Sequence, residues 1–270
     1  MSRKIRLDSE LVRRGMARSR EQAAQLIEDG RVSVGGQQAR KPATQVDTAS
    51  AIVVAASDDG PDYVSRGAHK LLGALEAFTG LSVEGRRCLD AGASTGGFTD
   101  VLLRRGAAHV LAVDVGYGQL AWSLRTDEKV TVMERVNVRD LTPEMVGEPP
   151  TLIVGDLSFI SLRLVLPALV GVAAPRADFV MLVKPQFEVG KDLVGAGGVV
   201  RDPGLRACSV ADAAAKAQEL GLTVRGVTAS PLPGPSGNVE YLLWLGKGEG
   251  EPPVSDLEVE IQRAVVEGPQ

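Results

Sequence analysis

Residues 87–98, Arg87-Cys88-Leu89-Asp90-Ala91-Gly92-Ala93-Ser94-Thr95-Gly96-Gly97-Phe98, read as a short apolar strand that opens into a glycine-rich loop. Glycine carries no Cβ, so such a loop lets the backbone approach a ligand closely at the carboxyl end of a strand, where doubly wound sheets bind cofactors. The next apolar run, Leu111-Ala112-Val113-Asp114, ends on an acid 22 residues beyond Gly92, the separation at which a carboxylate accepts hydrogen bonds from a ribose. The dinucleotide fingerprint Gly-x-Gly-x-x-Gly is absent, because position 94 is Ser and the spacing is Gly-x-x-x-Gly.

Working outward, residues 86–91, 108–113, 130–133, 151–155 and 178–183 read as five buried strands. They are separated by helix-length segments around 98–106, 117–126, 141–146 and 161–174. That alternation predicts a parallel sheet with helices on both faces. Residues 222–229 and 239–245 are two further strands joined by residues 231–238, a loop too short for a parallel crossover, so this pair is expected to be antiparallel. Seven strands with one reversed at the edge is an α/β arrangement, that of the Rossmann-like methyltransferases. Leu257, Ile261 and Val265 mark a final amphipathic helix.

Upstream of this region the pattern differs. Helices are expected over residues 9–15 and 19–30, strands over 31–36 and 51–56, and a turn at Asp58-Asp59-Gly60-Pro61. The expected division is a small α+β domain over residues 1–59, a linker over 60–63 and the α/β domain over 64–270. The chain's net charge of −4 is segregated: residues 1–45 hold ten Lys/Arg against five acids, +5, which leaves −9 on the other 225 residues. A basic head on an acidic body points to a nucleic-acid module joined to something else. With 44% hydrophobic and 24% charged residues over 270 positions, the composition is that of a folded globular chain. No apolar run reaches membrane-spanning length and the charged start is unlike a signal peptide, so the expected location is cytoplasmic with no membrane partner. Two cysteines and two histidines without paired spacing lead to no expected metal site.

Asp-x-Gly-x-x-x-Gly suits a ligand without a pyrophosphate, namely S-adenosylmethionine. Asp140 is then placed to meet the adenine amino group; its plainer reading is a helix cap before Leu141-Thr142-Pro143. Three strand ends carry groups that a fold does not require: Asp156 after the fourth, Lys184 after the fifth and Glu240 in the last. Singly they read as a cap, a snorkelling lysine and an edge-strand acid; jointly, on the cofactor side of the sheet, they read as functional. Lys70, early in a helix beginning near Ser65, is mildly disfavoured there unless it has a partner or a task. Cys88 lies inside the first strand and Cys208 in a later helix, so neither suits C5 methylation of a pyrimidine. Asp156-Leu157-Ser158-Phe159 differs from the Asn/Asp-Pro-Pro-Tyr of exocyclic-amine methylation. Lysine and carboxylates suit removal of a proton from a hydroxyl as it attacks a sulfonium methyl. Lys184 must then be neutral in the reactive state, which burial or a neighbouring cation such as Lys70 favours, while Asp156 and Glu240 orient the lysine and the hydroxyl.

The run Arg6-Leu7-Asp8-x-x-Leu11-Val12-x-x-Gly15, with Ser19-Arg20, Ala23, Leu26-Ile27, Gly30, Val32, Val34 and Lys41-Pro42, resembles the S4 RNA-binding domain. Residues 64–245 resemble FtsJ-like methyltransferases. The pairing, with Ser65-Arg66-Gly67-Ala68-His69-Lys70, Asp156-Leu157-Ser158-Phe159-Ile160-Ser161, Val183-Lys184-Pro185-Gln186-Phe187-Glu188 and Gly237-Asn238-Val239-Glu240-Tyr241, is similar to the TlyA (haemolysin A) family of ribosomal RNA 2′-O-methyltransferases. The resemblance implies a Lys-Asp-Lys-Glu tetrad, which falls on Lys70, Asp156, Lys184 and Glu240. It implies methyl transfer from S-adenosylmethionine to the ribose 2′-OH of cytidines in 16S and 23S rRNA of the 30S and 50S subunits, with loss of that methylation associated with capreomycin and viomycin resistance. Expected cofactor contacts are Asp90, Gly92, Ala93, Ser94, Thr95, Gly96, Gly97, Phe98, Asp114, Val115, Asp140 and Asp156. Expected RNA contacts are Arg3, Arg6, Arg18, Arg20, Lys41, Arg135 and Arg139, and the chain is expected to act as a monomer. Residues 185–206, with five glycines, are expected to form a loop that covers RNA or cofactor. An RNA-binding protein with an inactive methyltransferase fold, a small-molecule O-methyltransferase and, from the family's older name, a haemolysin remain as alternatives.

Overall fold

In the computed structural model, which describes residues 4–17, 19–55, 63–234 and 236–268, the chain divides into two units, Met1–Asp62 and Tyr63–Gln270. In the first unit β1 (Lys4–Arg6) runs directly into α1 (Leu7–Arg13), so this helix starts two residues before the expected Ser9. Ser19 caps α2 (Arg20–Glu28) by accepting from the Gln22 backbone N–H. β2 (Val32–Val34) turns through Gly35 and Gly36, both at positive φ, into β3 (Gln37–Gln38), the left-handed pair that a two-residue hairpin turn requires. β4 (Gln45–Asp47) pairs antiparallel with β1, and β5 (Ile52–Val54) with β2. Leu7, Leu11, Ala23, Leu26, Ile27, Val32, Val46 and Ile52 fill this unit's core. The turn expected at 58–61 and residues 60–62 of the expected linker lie outside the described residues.

The second unit opens with α3 (Ala68–Ala77), followed by β6 (Arg87–Ala91), α4 (Gly97–Arg104), β7 (His109–Asp114), α5 (Trp122–Arg125) and β8 (Val130–Glu134). α6 (Pro143–Val146), β9 (Leu152–Gly155), α7 (Leu162–Val172), β10 (Ala177–Val183) and α8 (Pro185–Glu188) come next. α9 (Pro203–Glu219), β11 (Thr223–Ala229), β12 (Tyr241–Lys247) and α10 (Leu257–Glu267) complete it. The seven strands lie in the order β11-β12-β10-β9-β6-β7-β8, and β12 runs antiparallel to both of its neighbours. The reversed strand therefore stands one place inside the sheet, with β11 as the edge, rather than at the edge itself. The helix expected over 117–126 shrinks to α5 because Gly116 and Gly118 precede it, Gly118 at φ +71°. Residues 185–206 are not one loop: α8, two 3-10 turns and the first turn of α9 account for much of the segment.

Strand residues alternate between two apolar cores, which is why the strands read as continuous apolar runs. Cys88, Val110, Leu152, Val154, Val180, Leu182, Leu242 and Trp244 face α3 and α4. Leu89, Leu111, Ile153, Phe179, Met181, Val183 and Leu243 face α7, α9 and α10. At the amino end of β10 the sheet is tied by charge: Asp178 accepts from Arg86 at 2.7 Å, Arg225 at 2.7 Å and the Trp244 indole at 2.9 Å. Removing this carboxylate strands two guanidiniums, one of them largely buried. Asp178→Ala is expected to lower unfolding free energy by about 3 kcal/mol, read as a drop in the denaturant midpoint; an unchanged midpoint would show that the network carries no stability.

Candidate active site

Period-2 alternation carries past the strand ends. Asp156 stands two residues beyond Val154, Lys184 two beyond Leu182 and Glu240 two before Leu242, so all three side chains continue the face that packs on α3. Lys70, the third residue of α3, reaches them from above the sheet. Its Nζ lies 2.6 Å from Glu240 Oε2 and 3.3 Å from Asp156 Oδ2. Lys184 Nζ lies 2.5 Å from Asp156 Oδ1 and donates to Ser158 Oγ at 2.9 Å. One carboxylate thus stands between two lysines, while the other acid belongs to Lys70 alone. The expectation that both acids orient Lys184 is corrected in that respect, and Glu240 sits one residue ahead of β12 rather than within it.

Lys70, Lys184 and Glu240 are 8%, 6% and 0% exposed, and the Asp156 side chain 21%. Two cations and two anions at this depth are tolerable only because they balance; removing any one leaves a buried charge uncompensated. Burial works against the Lys70 ammonium, but the Asp156 and Glu240 carboxylates outweigh it and hold its pKa above the ordinary lysine range. Lys70 is therefore the fixed cation of the group.

The loop after β6 holds its shape by backbone geometry. Gly92 and Gly96 have φ of +86° and +99°, and Ser94 is drawn into the left-handed region at +48°. A Cβ at Gly92 would lie 3.0 Å from the Asp156 carbonyl oxygen, so the loop crosses close over the residue that joins the two lysines. Asp114 receives the Ser94 N–H at 2.7 Å on one carboxylate oxygen and the Gly116 N–H at 2.6 Å on the other. Each oxygen keeps a free lone pair, and a shallow cleft lined by Ala93, Ser94, Asp114, Gln119, Leu120 and Val132 opens beside it. Val115 is 67% exposed beside this cleft, and Asp140 is exposed in the 3-10 turn Val138–Asp140. Asp140 is not the N-cap of the following helix, since Thr142 holds that place, and its plainer reading as a cap falls.

Three of the expected cofactor residues face inward. Phe98 is core between α3 and α4, and Gly97 is pressed against Ser65 and the Ala68 N–H, leaving no room for a Cβ. Asp90 is fully buried and accepts from Thr99 Oγ1 at 2.7 Å, so it supports the loop from beneath. Ser94 is exposed, Gly92 and Thr95 are half-buried, and Ala93 and Gly96 are buried.

Arg3 and Arg18 lie outside the described residues. Arg6 and Arg20 both bond Asp8, at 2.8 Å and 3.1 Å, while Lys41 is exposed. In the larger unit Arg135 and Arg139 are exposed; Arg135 has φ +58° and its guanidinium lies 4.4 Å over the Tyr117 ring. Sequence reasoning assigned no role to Ser158, Thr99 or Glu188. Glu188, buried at the end of α8, accepts from Ser161 Oγ at 2.5 Å and the Leu162 N–H at 2.7 Å. Burial pushes its carboxyl up, and those two bonds pull the other way. Its signal was its place four residues after Lys184, at the end of the Val183–Glu188 motif. Cys88 is buried, which pushes its thiol up to about 12.

The FtsJ-like methyltransferase family model matches residues 63–247, and the S4 domain model matches residues 5–52. The chain is 63% identical, over the full length of both proteins, to the 16S/23S rRNA (cytidine-2′-O)-methyltransferase TlyA of Mycobacterium tuberculosis. It is 40% identical to Hemolysin A of Brachyspira hyodysenteriae, over 88% of this chain and 98% of that protein. A solved structure from Streptococcus thermophilus, provisionally described as a hemolysin, superposes with a TM-score of 0.76 at 38% identity, covering 98% of this chain and 96% of that one.

Burial pushes the Asp90 carboxyl up to about 7 despite the Thr99 hydrogen bond, with the negative charges of Asp156 and Asp114 adding to the shift. Unfolded, the same group ionises near pH 4. Between about pH 4 and pH 7 the folded chain keeps a proton that the unfolded chain has released, so this group's contribution to stability falls as pH rises through that window. Asp90→Asn cannot ionise and is expected to lose less stability than the parent between pH 5 and pH 8; equal losses in paired urea titrations would refute this origin.

Proposed function

The chain belongs to the FtsJ-like methyltransferase family and carries an S4 domain, and on that basis we propose that it transfers a methyl group from S-adenosylmethionine to the ribose 2′-OH of cytidines in 16S and 23S rRNA. The observation that carries this reading is the Asp156 carboxylate set between Lys70 and Lys184 directly beneath the glycine loop. The S4 unit docks on ribosomal RNA, the larger unit performs the transfer as a monomer, and the setting is the cytoplasm, where 30S and 50S subunits are found. Among the described residues no helix is long and apolar enough to cross a membrane.

The residues present fit S-adenosylmethionine. Asp114, with lone pairs to spare, would accept from ribose hydroxyls, the exposed Asp140 would meet the adenine amino group, and the exposed Val115 would offer the base an apolar surface. The carboxylates at this end of the sheet suit a sulfonium cation. When bound, the cofactor supplies a methyl group on positively charged sulfur, which leaves as a neutral thioether.

In the reactive state Lys184 is the free amine, so the cluster carries one net negative charge, which suits a sulfonium cation; the amine accepts the 2′-hydroxyl proton while the ribose oxygen forms its bond to the methyl carbon. Proton and positive charge end on Lys184, and the charge lost by sulfur balances the charge gained by nitrogen. Asp156 receives that new ammonium at the distance it already holds. Lys70, kept cationic by Glu240 and Asp156, would stabilise negative charge that develops on the reacting oxygen. Its claim on Asp156 also divides that carboxylate's charge between two lysines. The 2′-hydroxyl restricts the reaction to RNA.

The test is transfer of labelled methyl by the full chain to purified 30S and 50S subunits, with the modified nucleotide mapped by reverse-transcription stops. We expect label on ribose at cytidine in both subunits and a loss of at least about 100-fold in Lys184→Ala, the scale of general-base catalysis. Full activity in that variant would remove Lys184 from the mechanism, and absence of transfer would favour an RNA-binding role alone. Asp114→Ala removes both loop braces and the ribose acceptor, so calorimetry is expected to show S-adenosylmethionine binding weakened about tenfold or more; unchanged affinity would assign the adenosine end elsewhere.

A further inference from the structure

A lysine that removes a proton must present its nitrogen in one direction, and attraction to a carboxylate does not set that direction. Lys184 Nζ lies 2.5 Å from Asp156 Oδ1, yet that oxygen lacks an aligned hydrogen bond among the described residues; the contact is a close charge pair. The aligned bond of Lys184 goes to Ser158 Oγ at 2.9 Å. Ser158 itself is exposed at the rim of the site, whereas the lysine it holds is buried.

The segment that carries Ser158 is held at both ends. The Asp156 N–H donates to the Ala91 carbonyl at 3.2 Å, which fixes its start to β6 and the glycine loop. Phe159 turns the chain through φ +64°, uncommon for a residue with a large side chain, and packs on Phe187 with ring centroids 5.2 Å apart. Two residues on, Ser161 Oγ and the Leu162 N–H both bond the buried Glu188 carboxylate. Lys184, Phe187 and Glu188 lie at and within α8; Asp156, Ser158, Phe159 and Ser161 lie on the segment between β9 and α7. Four ties clasp them: the Asp156–Lys184 charge pair, the Ser158–Lys184 bond, the Phe159–Phe187 contact and the bonds to Glu188; of the two that meet the reacting nitrogen, only the Ser158 bond is an aligned hydrogen bond.

We propose that Ser158 is a positioning residue for the methyl transfer: its hydroxyl takes one N–H of Lys184 and so sets the direction in which the lysine nitrogen meets the ribose hydroxyl. This rests on the function proposed above. A neutral amine has two N–H bonds and one lone pair at tetrahedral angles, so fixing one N–H at Ser158 while the side chain fixes Cε confines the lone pair to two directions. Of these two, the direction that points the lone pair at Asp156 Oδ1, 2.5 Å away, is disfavoured by repulsion. One direction remains for the lone pair, and a base held in one direction is what in-line attack requires. Misdirection of a base by a fraction of a bond length is enough to cost about ten- to a hundredfold in rate.

The test measures single-turnover methyl transfer by the full chain to 50S subunits, comparing the parent with Ser158→Ala and Ser158→Thr at varied subunit and S-adenosylmethionine concentrations. Ser158→Ala is expected to lower the maximal rate about tenfold or more, with half-saturating concentrations of both substrates and the thermal unfolding midpoint unchanged. Ser158→Thr, which keeps a hydroxyl at the same position, is expected to recover most of that rate. A parental rate in Ser158→Ala overturns the proposal while leaving the function intact, as does a loss that appears only in half-saturation or that threonine fails to restore. A parent that transfers no methyl to either subunit overturns the function, and the Ser158 assignment falls with it.

Discussion

Asp156 is a single carboxylate serving two buried lysines, and the larger unit is arranged to make that sharing possible. A lone ammonium at either position would cost several kcal/mol to bury; two of them on one acid would leave an excess positive charge. Glu240 resolves this by pairing with Lys70, so the cluster is neutral as a whole and uneven within. Lys70 has two anionic partners and Lys184 has a share of one. That inequality gives the lysines different chemistry without any difference in residue type. Lys70 is the one held firmly cationic.

The backbone supplies this arrangement at little extra cost. Three of the four residues are carried outward by the same strand alternation that builds the core against α3, and β12 adds Glu240 because it runs in the reverse direction and begins where its neighbours end. A parallel strand in that place would start at the opposite edge. The antiparallel insertion of β12 between β10 and β11 is thus the topological feature that brings an acid to Lys70. The glycine loop lies over the same edge, pinned by Asp114 to the start of the next connection, so the cofactor loop and the charge cluster share one rigid frame.

Much of this is legible in the residues. Asp156, Lys184 and Glu240 stand out because polar groups at the ends of buried strands need a reason, and period-2 spacing assigns them a common face. Lys70 is harder, since its partners come from strands 86 and 170 residues away and no spacing encodes how a helix settles on a sheet. Phe98 misleads because an aromatic after a glycine loop reads equally as ligand contact or as core, and only packing against α3 decides. β1 and β4, three residues each, carry too little pattern to be read before they pair. Ser158 and Glu188 matter through the meeting of two segments whose separation in the chain hides it.

The basic head holds a final consequence. Arg6 and Arg20 converge on the buried Asp8, which holds its carboxyl well below the usual range under their influence, and Arg13 and Arg14 converge on Glu10. Much of the positive charge on this unit is therefore rigged in place before any partner arrives. Freezing a free arginine against a phosphate costs side-chain entropy at the moment of contact; here folding has already spent it. The surface behaves as a stencil rather than a cloud of charge. A phosphate that met these guanidiniums would thus require less side-chain ordering than one that met free arginines.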